Sequence, residues 1–309
     1  MAEVLLPWLN GHLDFRQAYT FTLNDIVDTL RDIVQHPVSY GVPPQNVNML
    51  ISIHGHITRL RRPTGQDYLN PPPPQSVHRD LNPQWPRSIA RFRLERSTYD
   101  GLEYWALPDY LGLFLSKLGR APAGATKRNF YLPVTAVFGR WCDKLLSGRR
   151  WQKPRVYQCT WADAGEFHLG ASRGGWTLES GMGSCLAVLD RARFGVVRST
   201  VLDLAYWSQA WTPTIVRKGR RRGTPFGRCA ETYPFRKLLM EKSREEAERV
   251  CGLALCNDYI SEPVYDDRLS GEVWKSLWDP CLNCQTLIRL HQGNVLNFLK
   301  TTGIEGAPP

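Results

Sequence analysis

Four consecutive prolines, Pro71 to Pro74, followed by Pro83 and Pro86, divide this chain before any other reading of it can begin. A proline lacks the amide hydrogen and fixes φ at about −65°, so neither a helix interior nor a central strand can run through such a tract. It favours an extended polyproline path, and the scarcity of large aliphatic residues around it marks a surface linker or loop. Three segments follow: residues 1–60 as an N-terminal helix and strand region, 61–86 as the Pro-rich linker, and 87–309 as the main domain. A chain of 309 residues with 42% hydrophobic content can bury a sizeable core on either side of it.

Hydrophobic spacing then assigns the elements. Leu23, Ile26, Val27, Leu30, Ile33 and Val34 recur at helical period, with Thr22 placed to cap the first turn and Pro37 just past the end. Val47 to Ile57 is read as a strand carrying two outward histidines, His54 and His56. Leu107 to Leu118 is an amphipathic helix, and Tyr131 to Phe138 and Val156 to Trp161 are strands. Helices are expected from Leu178, after Ser199, from Pro234 through Val250, near Val273 to Trp278 and over Thr286 to Lys300. The fold class is therefore α+β, predominantly helical, with the 107–118 helix packed within a mixed main body.

The best-delimited segment is Leu107-Pro108-Asp109-Tyr110-Leu111, followed by ten residues and Pro122. Pro108 suits a first helical position, where its missing N–H costs nothing. Asp109 beside it complements the positive end of the helix dipole. Leu111, Phe114, Leu115 and Leu118 form one apolar stripe, and Gly119 and Pro122 end the helix. A plain core helix that starts with proline has the same pattern.

The segment resembles the F-box, whose minimal form is Leu-Pro-x-x-(Leu or Ile), a gap of about ten to thirteen residues, then Pro. The order of features along the chain is similar to that of the silencing suppressors encoded by the first open reading frame of poleroviruses and enamoviruses. An N-terminal amphipathic region precedes the F-box-like segment, Gly174-Gly175-Trp176 stands ahead of Cys185-Leu186-Ala187-Val188-Leu189-Asp190-Arg191, and Pro263-Val264-Tyr265 leads into Leu269-Ser270-Gly271-Glu272. Trp176 is followed by Thr177 where the family has a second glycine.

The resemblance implies a substrate receptor with no catalysis of its own. Leu107, Pro108, Leu111 and Pro122 would engage the adaptor subunit of a host SCF-type ubiquitin ligase by burying aliphatic anchors in a groove. Gly175 and Trp176 would engage host Argonaute, which is then degraded. On this reading, replacing Leu107 and Pro108 by Ala removes adaptor binding and leaves expression near normal.

Charge supports an alternative. Lys and Arg exceed Asp and Glu by 39 to 29, giving +10, and the densest run is Arg217-Lys218-Gly219-Arg220-Arg221-Arg222. Such a loop can contact phosphate, so the alternative is a suppressor that sequesters small duplex RNA through Arg217, Lys218, Arg220, Arg221 and Arg222. A solvated loop has the same composition.

Cys281 and Cys284 form a Cys-x-x-Cys, with Cys251 and Cys256 upstream and His291 downstream. Those four thiols have a spacing not far from a zinc ribbon, but two pairs of reduced, buried thiols on helices is the plainer reading, and no metal or cofactor is expected. No P-loop, His-Glu-x-x-His, Gly-x-Ser-x-Gly or dinucleotide fingerprint occurs, so the sequence gives an enzyme little positive support, although a Ser-His-Asp or paired-carboxylate set need not be close in sequence. No run approaches the ~18 apolar residues of a membrane span. Glu3, the short Val4 to Leu9 run and Asp14 do not read as a signal peptide, so the expected location is the host cytoplasm or nucleus, with the cysteines mostly as thiols.

Overall fold

The computed structural model describes residues 5–61, 77–81, 89–94, 96–146, 153–174, 185–199, 202, 214–217, 220–222, 226–266 and 272–302. The fold is mixed α+β.

The N-terminal segment folds as helices. Asp14 caps α1 (Phe15–Thr20), its Oδ1 accepting from the Gln17 amide at 2.8 Å. Thr22 and Asp25 close a capping box on α2 (Leu23–Gln35), as the spacing leads one to expect. Val47 to Ile57, expected as a strand, lies in α3 (Val47–Leu60). The reason is period: Leu50, Ile53, Ile57 and Leu60 are the buried positions, three and four apart, and this face outweighs the short alternation around the histidines.

A hairpin of β1 (Val77–Leu81) and β2 (Ile89–Leu94) follows, then a second of β3 (Ser97–Tyr99) and β4 (Leu102–Tyr104). Asp100 and Gly101 turn the second hairpin, both at positive φ, the two-residue geometry whose twist matches the strands.

The next helix, α4 (Leu107–Ser116), has Pro108 in its first turn. Tyr131 to Phe138, expected as a strand, instead enters α5 (Leu132–Leu145), with Pro133 in its first turn. Nearly every residue of that stretch is buried, and a continuous apolar run does not distinguish a buried strand from a buried helix by period.

The four-stranded antiparallel sheet is built from β5 (Val156–Trp161), β6 (Phe167–Ala171) and two later strands. After α6 (Cys185–Val197) and the hairpin of β7 (Thr214–Arg217) and β8 (Arg220–Arg222) come α7 (Thr232–Leu238) and α8 (Arg244–Arg249). Pro234 to Val250 is thus not one long helix. Ser243 forms its own capping box with Glu246, which starts a new helix there. The sheet is completed by β9 (Cys251–Cys256) and, beyond α9 (Glu272–Lys275), by β10 (Leu277–Trp278), in the order β10-β9-β5-β6. Near the C-terminus α10 spans Leu282–Leu290; Gln292 at positive φ and Gly293 end it well before the expected Lys300, and a short 3-10 turn, Val295–Phe298, follows.

The sheet is covered on both faces. On one, Tyr157, Cys159 and Trp161 of β5 align with Ala171, Leu169 and Phe167 of β6 beneath α4 and α5. Tyr131 stacks on Trp161 at 4.2 Å, and a side chain at Gly112 would collide with the Leu169 carbonyl, so α4 lies directly on β6. Residues 5–60 close over this layer: the Trp141 indole donates to Ala18 O at 2.9 Å, and Trp8 packs edge-on against Phe130 and Phe167. On the other face Gln158, Thr160, His168 and Gly170 are small or polar, and Pro234 of α7 seats against Gly170. A second, smaller core lies here, with Phe194, Phe235, Leu239, Leu287, Ile288 and Phe298.

Candidate functional site

The Leu-Pro motif occupies the first turn of α4, and the whole helix from Leu107 to Leu115 is buried. Leu107 and Leu111 are 3% and 0% exposed, and Pro108 is buried as well. Pro122 lies in the following loop, half-buried. Three of the four motif residues therefore stand in the main core and none of the three presents itself at the surface of the folded chain. Removing the buried Leu107 side chain is expected to cost on the order of 2–5 kcal/mol of stability.

Asp109 does more than complement a helix dipole. Its carboxylate receives two hydrogen bonds from Arg193 Nη1, at 2.6 and 2.8 Å, in a fully buried pair. Arg193 also donates through Nε to Gly227 O at 2.6 Å and through Nη2 to Ala171 O at 2.8 Å and Cys229 O at 3.0 Å. Its guanidinium lies 5.4 Å from the Tyr233 ring centroid. A single side chain of α6 thus ties the start of α4, the end of β6 and the segment before α7 together. The Gly227 turn fits only without a side chain: φ is +90°, and a Cβ would come within 2.5 Å of the α6 backbone at Arg193 and Phe194.

One turn earlier on α6, Asp190 is fully buried between two guanidinium groups, Arg173 Nε at 2.6 Å from Oδ1 and Arg228 Nη2 at 2.6 Å from Oδ2. Burial lowers the Arg173 guanidinium to about 10, against the pull of Asp190. Sequence reading missed this network. Its signal was Asp190 and Arg193, three apart and so on one face of a mainly apolar helix whose other charged residue is Arg191.

The four cysteines Cys251, Cys256, Cys281 and Cys284 are not brought together. Cys251 and Cys256 end β9 five residues apart, which puts their side chains on opposite faces about 17 Å apart along the strand. Cys251 Sγ donates to Arg249 O and Cys256 Sγ to Asp258 Oδ2. The third thiol beside Cys281 and Cys284 is Cys229: its Sγ and that of Cys284 each lie 3.5 Å from the Sγ of Cys281. His291 sits past the far end of α10, about 15 Å along the axis from Cys281, and takes no part.

Cys281 is the N-cap of α10, and its contacts with the Cys229 thiol first and the Cys284 thiol second hold its own thiol below the ordinary value. Glu231 is buried beside the cluster; burial and the nearby Cys281 sulfur raise its carboxyl to about 7.

His54 and His56 are half-buried on α3. The His56 ring stacks on Tyr110 at 4.8 Å and its Nε2 meets Ser97 Oγ at 2.8 Å, a structural contact to α4. Gly175, Trp176 and Lys218 lie outside the described residues. Arg217 and Arg220 to Arg222 are on the paired strands β7 and β8, with Arg217 opposite Arg220. Among the described residues no helix is long and apolar enough to cross a membrane. The chain matches no family model, no curated protein and no solved structure.

Proposed function

We propose that this chain is a viral suppressor of RNA silencing that acts as an F-box-like substrate receptor, bringing a host SCF-type ubiquitin ligase to Argonaute in the cytoplasm or nucleus of a plant cell. It performs no chemistry of its own on this reading. The supporting observation is the register of the motif with its helix: α4 begins at Leu107, carries Pro108 in its first turn and ends before Pro122.

Burial of the anchors sets the physical condition for recruitment. Leu107, Pro108 and Leu111 reach an adaptor groove only if the chain parts around the first turn of α4. Exposing two buried leucines costs roughly 3–6 kcal/mol, and reburial against an adaptor returns a similar amount. The Asp109–Arg193 pair must open in the same step. Recruitment is therefore a competition between the chain's own core and the adaptor for one apolar surface.

The test is a pull-down of purified adaptor by folded wild type, by Pro108→Ala and by Arg193→Gln, with circular dichroism on each. Receptor action requires binding that increases in Arg193→Gln, whose hold on α4 is weaker, and that is lost in Pro108→Ala. Failure of both wild type and a folded Arg193→Gln to bind would reduce the motif to a core helix.

A second reading rests on the basic β7–β8 hairpin, which concentrates four arginines over two short strands. Small duplex RNA held through phosphates would bind with an affinity that falls steeply with salt, whereas docking of leucines would not. Suppression that survives Arg220 to Arg222→Ala argues for the receptor; its loss argues for RNA.

A further inference from the structure

We infer that Cys229, Cys281 and Cys284, with Glu231 as the fourth ligand, form a tetrahedral site for a divalent cation of the zinc class. The three sulfurs already lie within 4.8 Å of one another, and two of the separations are 3.5 Å. Thiolates around zinc at about 2.3 Å stand about 3.8 Å apart in tetrahedral geometry, so the cluster needs to open by only a few tenths of an ångström. It is too open for a disulfide, whose sulfurs are about 2 Å apart, and all three cysteines are free.

Among the described residues this is the group of three or more ligating side chains that converges. Cys281 and Cys284 hold the relation of a zinc-binding Cys-x-x-Cys at a helix start, with Cys281 as the N-cap of α10 and the two sulfurs 3.5 Å apart. Glu231 is buried and lines the same cavity as Cys229 and Cys281; its carboxylate lies outside the group that already converges and would turn in to complete the shell. Cys229, Glu231 and Cys281 also line a cavity of about 70 Å³, which gives an ion a path from the surface. Three sulfurs and one carboxylate favour zinc over magnesium or calcium, which take oxygen shells. Loading would release the thiol protons of the coordinating cysteines, leaving thiolates on the ion.

The backbone around the site gives the ion a structural consequence. Cys229 O and Gly227 O are acceptors for Arg193, and Arg193 holds Asp109 at the start of α4. A metal that fixes Cys229 therefore steadies the far end of the same chain of contacts.

The experiment is titration of the full reduced chain with zinc in competition with a chromophoric chelator, followed by cobalt substitution. One ion per chain is expected, with the intense thiolate-to-cobalt charge transfer and visible absorption of a tetrahedral three-thiolate centre. Cys281→Ser and Cys229→Ser should lose stoichiometric binding, while Cys251→Ser and Cys256→Ser should retain it. Glu231→Gln should weaken binding by on the order of 10- to 100-fold and leave the charge-transfer band in place. Folded, reduced wild type that takes up no zinc or cobalt would overturn the site without reliance on any variant. Equal loss in Cys251→Ser would overturn the choice of ligands, and unchanged affinity in Glu231→Gln would overturn its fourth ligand. None of these readouts depends on adaptor or RNA binding.

Discussion

The two faces of the central sheet are built on different principles. The face under α4 and α5 is aromatic and aliphatic throughout, with Trp8, Phe130, Tyr131, Trp161 and Phe167 in mutual ring contact. The opposite face, under α7, carries Gln158, Thr160 and His168, and near its end sit the thiol cluster and Glu231. The first face buries the motif with the clearest sequence signature. The second assembles the chemically richest group from residues that no local pattern connects. Apolar burial stabilises without direction, so the first face tolerates no exposed role for its residues while folded. Polar groups under cover need specific partners, so on the second face geometry is fixed one hydrogen bond at a time.

Arg193 joins the two faces, and its removal is the sharpest way to break the comparison. Arg193→Met leaves Asp109 buried without its cation, and a loss of about 3–5 kcal/mol in denaturant unfolding is expected. A loss below about 1 kcal/mol would mean that the Asp109 carboxyl is neutral or hydrated in solution. Next in size, Leu111→Ala opens a cavity in the aromatic face and should cost about 2–5 kcal/mol by the same measurement. A cost near zero would show that α4 is already partly released, which is the condition for its docking elsewhere.

The second face should respond to pH where the first does not. Burial lowers the His168 imidazole to about 3, while in the unfolded chain it titrates near its ordinary value of 6.5. Between those values the unfolded state binds the extra proton. Stability therefore falls as pH drops from about 6.5 towards 3, by about 2 kcal/mol at pH 5. His168→Asn should flatten that part of the profile in urea titrations at pH 7 and pH 5; an unchanged profile would place the acid sensitivity elsewhere. The smallest effect belongs to a local signal. Ser243→Ala removes the capping box of α8 and should cost about 1 kcal/mol, with both faces of the sheet unaffected in hydrogen exchange.

The sequence by itself determined the local events. Thr22 and Asp25 close the box that opens α2, Pro108 opens α4, and Val156 to Trp161 is a strand, because caps and proline act through atoms a few residues away. Where a stretch is apolar on all sides, as at Tyr131 to Phe138, no period survives to choose helix over strand, and packing against Tyr157 and Trp161 chose. The same limit governs function. Leu107, Pro108 and Leu111 are legible as a motif from their spacing, but whether they face solvent or core depends on residues 5–60 and on β6, which spacing does not contain. Cys229 lies 52 residues from Cys281 and joins it only because Gly227 turns tightly against α6 and α10 starts at Cys281. Tertiary structure decided these, since burial and convergence are properties of surfaces brought together after local structure has formed.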